Sequence, residues 1–316
     1  MGQIYCIGEA LIDFVCTDPL GLRQGKQFEK NAGGAPANVA AAIAKLGGDT
    51  RFLGQVGQDD FGDHLKDTLL SYGVQIQHMI QKGTTTLAFV GIDQAGERSF
   101  SFVRGADGEY DSNNLPLGDI TATDIVHFGA ALGFSGGALE KSYVRLRDEA
   151  IEKGAFISFD PNYRDTLISS EELTTYLEKV RAFIAVADFV KLSDEELTLI
   201  TGETDVKQGA QKICALGAEF VAVTLGKKGT HLQSSKNQQV VESISIKQVD
   251  STGAGDAFTG ALLYQIQKAG TSNVTFTTLL DFLEIANVVG ALTCTKYGAI
   301  PALPSSVEVE LALANK

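Results

Sequence analysis

The chain has 316 residues, is 44% hydrophobic and carries a formal charge of −13. That length buries one large core or two modest ones. An acidic chain with no basic stripe excludes a non-specific nucleic-acid surface and makes an anionic membrane a poor partner, so any anionic ligand must be held by local donors working against the overall field.

The opening residues, "MGQIYCIGEALIDF", lack a basic region followed by an apolar stretch and a cleavage site. A cytoplasmic protein without a secretory leader is therefore expected. Cys6 stands where a myristoylation signal needs Ser or Thr, and no apolar run reads as long enough to span a bilayer. Cys6, Cys16, Cys214 and Cys294 form no CxxC pair, and the four histidines are scattered. Buried free thiols are expected rather than disulfides or zinc.

Taken in chain order, "IYCIG" (Ile4–Gly8) reads as the first strand. "APANVAAAIAKLGG" reads as a helix: Pro36 suits its first turn, Val39, Ile43 and Leu46 share a face, and Gly47 ends it. "RFLGQVG" (Arg51–Gly57) is strand-like, and the next helix spaces Phe61, Leu65 and Leu69 by four. Then the rhythm changes. Residues Thr84–Asp107 alternate like a hairpin with a turn near Gln94–Gly96. Such an interruption suggests an added sheet. Strands at Asp124–Ala130, Ala155–Asp160, Asp188–Leu192 and Phe220–Gly226 follow, separated by helices near Leu139–Lys153, Glu172–Ala187 and Lys207–Leu216. This βα alternation predicts an α/β fold with a mainly parallel sheet covered by helices. Ligands of such sheets sit at the carboxyl ends of the strands.

Three stretches carry chemistry. In "DSTGAGDAFTGALL", Gly253, Ala254 and Gly255 leave backbone N–H groups uncovered at a helix start, an anion site suited to phosphate. Asp256 beside them can take a proton from a hydroxyl, which together makes the minimum apparatus for phosphoryl transfer to an alcohol. Asp256 is equally explained as a first-turn carboxylate complementing the helix dipole. In "NAGGAPANVA", Gly33 and Gly34 let a ligand approach the backbone and Asn38 offers a donor and an acceptor. A plain tight turn is the alternative. In "GEALIDF", Asp13 interrupts an apolar run after the first strand and could chelate paired sugar hydroxyls, or be a surface loop residue.

Together, "GGAPANVAAAIAKLGGDTRFLGQVG" and "DSTGAGDAFTGALL", about 220 residues apart, resemble the two signatures of the ribokinase-like (phosphofructokinase B) sugar kinase family over essentially the whole chain. The resemblance implies a single domain built as a three-layer α/β/α sandwich, with a small β-sheet lid inserted at about 14–31 and 84–107. It implies that Asp256 is the base, that Gly253, Ala254 and Gly255 form the anion hole, and that Asp13, Gly33, Gly34 and Asn38 contact the sugar. By the same likeness, "VTLGKKG" places Thr224, Gly226 and Gly229 under ATP, and "ANVVGALTCTKYGAIPALP" places Asn287 beside the adenine. The Walker A spacing is absent. "KLSDEEL" resembles the family's Asn-x-x-Glu stretch with Ser193 in place of Asn, leaving Glu196 to hold Mg²⁺ through water. A solvated acidic helix start is the other reading of Asp194, Glu195 and Glu196. Asp250 and the carbonyl of Thr252 match a potassium site of the family, and a homodimer through the lids is implied.

"GEALIDF", "RGAD" and "DPNYR" look most like the fructokinase branch. Arg104 would reach from the lid onto the sugar, and Arg164 would serve the sugar or the transferring phosphoryl. A pocket of Asp, Asn, Arg and glycine backbone suits a polyhydroxy ligand better than a nucleoside, which calls for more aromatic stacking. The expectation is ATP-dependent transfer to the terminal hydroxyl of fructose. 2-Keto-3-deoxygluconate kinase and ribokinase are the alternatives, and an inactive sugar sensor or scaffold is the remote one. A dinucleotide-binding oxidoreductase is excluded, because "IGEALIDF" lacks GxGxxG after the first strand.

Overall fold

The computed structural model describes residues 2–18, 20–92 and 98–315. The expected hairpin turn near Gln94–Gly96 lies outside these. The elements follow in chain order as β1 (Ile4–Ile7), β2 (Leu11–Cys16), α1 (Gly21–Gln24), β3 (Phe28–Gly33), α2 (Ala35–Lys45), β4 (Thr50–Val56), α3 (Asp60–Tyr72), β5 (Met79–Gln81), β6 (Leu87–Ile92) and β7 (Arg98–Val103). After them come β8 (Ile125–Gly129), α4 (Gly137–Lys153), β9 (Phe156–Asp160), α5 (Leu173–Ile184), β10 (Phe189–Ser193), α6 (Asp194–Thr201), α7 (Val206–Leu216) and β11 (Phe220–Thr224). The chain ends with β12 (Thr230–Ser234), β13 (Gln238–Val241), α8 (Ala254–Ala269), α9 (Phe276–Thr293) and α10 (Ser306–Ala314).

Nine strands form the main sheet in the order β13-β12-β11-β10-β9-β8-β1-β4-β5. It is parallel from β11 through β5; β12 alone runs the opposite way, antiparallel to both β11 and β13. Inside the two edge strands β5 and β13, the strands are short and buried on both faces, so successive side chains feed different cores. In β1, Ile4 and Cys6 join the core beneath α2, α3, α8 and α9, while Tyr5 and Ile7 join the core beneath α4, α5 and α7. These layers are the expected α/β/α sandwich. Strand order reverses at β1, whose two neighbours β4 and β8 come later in the chain on opposite sides, and this is where an open parallel sheet leaves a crevice.

The second sheet has the order β3-β2-β6-β7. It starts earlier than the sequence suggests. Leu11–Cys16 is already a strand, with Leu11 paired to Gly33 and Asp13 to Asn31. Asp13 therefore lies on a strand of the inserted sheet, not in a loop after β1. Leu11 and Ala88 of this sheet pack on Leu132 of the body, with Phe102 and Leu167 alongside.

α9 has the length and hydropathy of a membrane span, against the expectation that no run would. It is a core helix: Leu279, Leu283, Ala286 and Val289 are buried on one side, and Asp281 is exposed on the other. All four thiols are free; Cys6 and Cys16 are buried as expected, whereas Cys214 and Cys294 are half-buried.

Candidate active site

Small residues set the site's geometry. α2 and α8 approach closely enough that a Cβ on Gly260 would meet the Ala42 side chain at 2.6 Å and the Val39 carbonyl at 2.9 Å. That contact brings the first turns of two helices together, although their residues are 218 apart in sequence. Asn38 Nδ2 donates to Asp256 Oδ2 at 2.8 Å, and Asn162 Nδ2 donates to Oδ1 at 3.3 Å. Asn162 follows β9 and adopts φ 44°, the one non-glycine residue with positive φ among the described residues. Asp160 stabilises that turn by accepting the Asn162 N–H at 3.0 Å. Such a conformation is uncommon outside glycine and clusters at functional sites.

Asp256 is 6% exposed. Burial raises its pKa; the Asn38 hydrogen bond, Arg164 and Lys191 pull the other way, and Asp160 adds to the rise. The N–H groups of Gly255 and Asp256 find no protein acceptor among the described residues, so the start of α8 presents open donors with the dipole behind them. Gly253 reaches φ 73°, and a Cβ there would strike Ala299. The turn thus requires glycine twice over, for its backbone and for its neighbour.

Asp13 is half-buried on β2, and its carboxylate lies over Gly33, where a Cβ would collide with Oδ2. Burial pushes the Asp13 carboxyl up to about 7, with Arg164 opposing and Asp256 adding to the shift. Arg164 is exposed on the loop after β9. Its charge acts on both Asp13 and Asp256. Gly34 takes φ 104° with Glu9 backbone where a Cβ would go.

Two of the expected site residues already have partners within the protein. Arg104 is taken up by the protein: Nη1 donates to the Ser135 carbonyl at 2.8 Å, Nη2 to the Leu132 carbonyl at 3.2 Å, and Nε pairs with Asp107 at 3.4 Å. It ties the inserted sheet to the loop after β8. Asn287 is also consumed internally. Its Oδ1 accepts from Thr230 Oγ1 at 2.7 Å and its Nδ2 donates to the Val241 carbonyl at 2.9 Å. It fastens α9 to β12 and β13.

Thr224 ends β11 beside Ser193, which ends β10. Gly226 is exposed at φ 55°, and Gly229 turns against the Val241 carbonyl at φ 91°. Ser193 caps α6 in a reciprocal box, with Glu196 Oε2 accepting the Ser193 N–H at 2.7 Å. Glu196 Oε1 accepts the Tyr163 N–H at 2.7 Å. Asp194 and Glu195 are exposed while Glu196 is buried, which fixes the register and sets aside the solvated reading for Glu196. Each of its oxygens keeps a lone pair, so the residue fits water-mediated contact with a cation. Among the described residues no three Asp, Glu, His or Cys side chains converge on a metal site. Asp250 Oδ1 accepts from Thr252 N and Oγ1, and its Oδ2 from Gly298 N at 3.0 Å, joining the loop before α8 to the loop after α9.

A family model for pfkB family carbohydrate kinases matches residues 1–306. The chain belongs to the pfkB carbohydrate kinase family. Among its relatives, a probable fructokinase-3 of Arabidopsis thaliana is 38% identical, covering 97% of this chain and 90% of that protein. Fructokinase-2 of Solanum lycopersicum is 37% identical over 97% and 94%. Among solved structures, the Vibrio cholerae O395 fructokinase with fructose, ADP and calcium bound superposes with TM-score 0.88 at 34% identity, covering 98% of each chain. The ATP-bound fructokinase of Xylella fastidiosa superposes with TM-score 0.87 at 30% identity over 99% and 98%.

The kinase has residues at this site that sequence reading passes over. Asp160, Asn162 and Lys191 read only as parts of strands or of "DPNYR", because their partners are 31 to 94 residues away. Glu9 escapes because it follows an apolar strand with no turn signal. It is 2% exposed, Oε1 accepts the Ala35 N–H at 3.1 Å, and Oε2 has no hydrogen-bond partner among the described residues. Burial pushes its pKa to about 8; its own N–H and that of Ala35 oppose this, and Asp107 and Asp256 reinforce it. A carboxyl raised in the folded state stabilises most below its unfolded value near 4.5 and loses that contribution as pH climbs to about 8. Glu9→Gln removes the titration. The Tm of the variant relative to the parent should therefore rise between pH 5 and pH 9, with an upper bound on the order of 4–5 kcal/mol. A pH-independent difference in Tm would show that Glu9 is ionised throughout.

Proposed function

We propose that this kinase transfers the γ-phosphoryl group of ATP to the terminal primary hydroxyl of fructose, giving fructose 6-phosphate. The observation that carries the reading is the buried Asp256, held by Asn38 and Asn162 beside open N–H donors at the start of α8. The similarity to fructokinases along the whole chain supports fructose as the acceptor.

Asp256 accepts the proton of the sugar hydroxyl as its oxygen attacks the γ-phosphorus. The bond from that phosphorus to the β–γ bridging oxygen breaks, and ADP leaves. The N–H donors of Gly253, Gly255 and Asp256 meet the charge on the transferring group, where fixed dipoles in a dry site act strongly; the Ala254 N–H, expected among them, is held by the Ser251 carbonyl at 3.2 Å. Asp13, Gly33, Gly34 and Asn38 hold the sugar, and Arg164 serves the sugar or the transferring phosphoryl. Thr224, Gly226 and Gly229 lie under the nucleotide. Magnesium bound with the nucleotide would neutralise the phosphates, and Glu196 would hold it through water. The inserted sheet acts as a lid over the sugar, a homodimer forms through the lids, and the enzyme works in the cytoplasm.

The test is a panel of fructose, ribose, 2-keto-3-deoxygluconate and a ribonucleoside at fixed ATP, read by ADP release. Fructose should give the highest kcat/KM, and a higher value for any other acceptor replaces it. Asp250 and the Thr252 carbonyl form the potassium site in this reading, holding the loop that shapes the N–H cradle. Replacing potassium by tetramethylammonium should lower kcat, and equal rates in the two salts would remove the site.

A further inference from the structure

Among the described residues, Lys191 is the only lysine or arginine that is buried, at 7% exposure. It sits on β10, one residue before Leu192 and two before the strand end, and its Nζ lies 3.0 Å from Asp160 Oδ2. Its other face points at the start of α8: a Cβ built on Gly255 would come within 3.0 Å of Lys191 Nζ, with no other side chain nearer. An ammonium has three protons to donate. Asp160 is its only hydrogen-bond partner among the described residues.

The charges around it matter. Asp160, Glu196 and Asp256 all act on Lys191, and Asp256 acts on Asp13 as well. A polyphosphate entering this region of a chain with charge −13 meets several carboxylates at once. Helix-end donors carry only about half an elementary charge. Arg164 is exposed and therefore screened by solvent. A buried lysine–aspartate pair is seldom better for stability than two well-packed apolar residues, so stability alone does not account for a lysine at this position.

We infer that Lys191 is a further catalytic residue of this kinase: its ammonium, seated against Gly255, donates to the transferring phosphoryl group and supplies the full positive charge that the backbone cradle lacks. Asp160 aims it from one carboxylate oxygen while the other oxygen holds the Asn162 turn, so a single side chain orients both the cation and a partner of the base. This rests on the phosphoryl-transfer reading of the site and adds a residue to it.

The experiment compares the parent enzyme with Lys191→Met and with Lys191→Met/Asp160→Asn. The single variant leaves Asp160 buried and unpaired and can fail to fold. The double variant removes both charges and keeps an oxygen for the Asn162 N–H, so it decides the matter if the single one is lost. Calorimetry measures the binding of ADP alone and of ADP with magnesium and aluminium fluoride, a mimic of the phosphoryl group in flight. The parent should bind the fluoride complex more tightly than ADP. In the variants that gain should fall by roughly 10²-fold, as should kcat, the scale of losing one donor to developing charge. ADP affinity itself should stay within about threefold, since the loss belongs to the transition state. Variants that keep the full gain and kcat would make Lys191 a purely structural partner of Asp160 and overturn the inference alone. A parent enzyme that shows no gain and phosphorylates no acceptor overturns the phosphoryl-transfer reading, and the inference with it.

Discussion

Replacing Asp256 by Asn or Ala is expected to lower kcat by roughly 10²–10⁴-fold, the usual contribution of a positioned base, with nucleotide affinity close to that of the parent. The two substitutions fail for different reasons, and the difference is informative. In the native site both carboxylate oxygens accept from amide donors, Oδ2 from Asn38 and Oδ1 from Asn162. The side-chain amide introduced by Asp256→Asn would turn its own NH2 toward one of those donors, so this variant should lose stability as well as activity. Asp256→Ala leaves both donors without an acceptor but opens room for water, which can satisfy them. Equal losses of kcat in the two, with unequal losses of Tm, would separate the base from the hydrogen-bond network. Because burial raises the Asp256 pKa, with Asn38, Arg164 and Lys191 opposing, the acid limb of kcat should lie above the ordinary carboxylate range. A variant that kept more than about a third of the parent kcat would lie far outside the range for loss of a base and would remove Asp256 from that role.

The runs of apolar residues in β1 and in the strands from β8 to β11 make the main sheet legible, because a strand buried on both faces leaves little choice of residue. Pro36 and the glycine after the helix likewise mark the ends of α2. The start of the inserted sheet is not legible. Gly8, Glu9 and Ala10 contain no turn cluster, and Leu11 and Ile12 read as part of the same apolar run as β1. The hairpin of β12 and β13 and the helices α6 and α10 go unplaced. α6 is short and reads mainly through its acidic start, whose reciprocal cap between Ser193 and Glu196 is itself a plain local signal. At the site, residues whose role follows from their own backbone are found: Gly253, Gly255, Gly34 and the first-turn Asp256. Residues whose surroundings come from a distant partner are missed, or are read without that partner. Lys191 needs Gly255, Asn162 needs Asp256, and Arg104 looks free until Leu132 and Ser135 are placed beside it. The partners of Asn287 are invisible for the same reason, since Thr230 and Val241 lie 57 and 46 residues away.

Asp13→Ala should raise the fructose KM steeply while leaving the nucleotide side unchanged. The cost is on the order of 1.5–3 kcal/mol for each hydroxyl that loses a charged acceptor, and about 1.4 kcal/mol is a factor of ten. One lost bond is thus worth at least about tenfold and two lost bonds at least about a hundredfold. The pH dependence carries more information than the magnitude. Asp13 is pushed up to about 7 by burial, with Arg164 pulling it down and Asp256 pushing it further up. A neutral acid accepts hydrogen bonds less well than a carboxylate, so kcat/KM for fructose should fall as pH drops through 7 in the parent. Asp13→Asn should flatten that fall, because the amide does not titrate. Gly33→Ala offers an independent approach to the same oxygen, since its Cβ would displace Asp13 Oδ2. It should reproduce the rise in KM without removing the carboxyl, and the slope near pH 7 should persist. If Asp13→Ala leaves the fructose KM unchanged, the carboxylate does not touch the sugar; the raised pKa of Asp13 would then report only its burial between the two sheets.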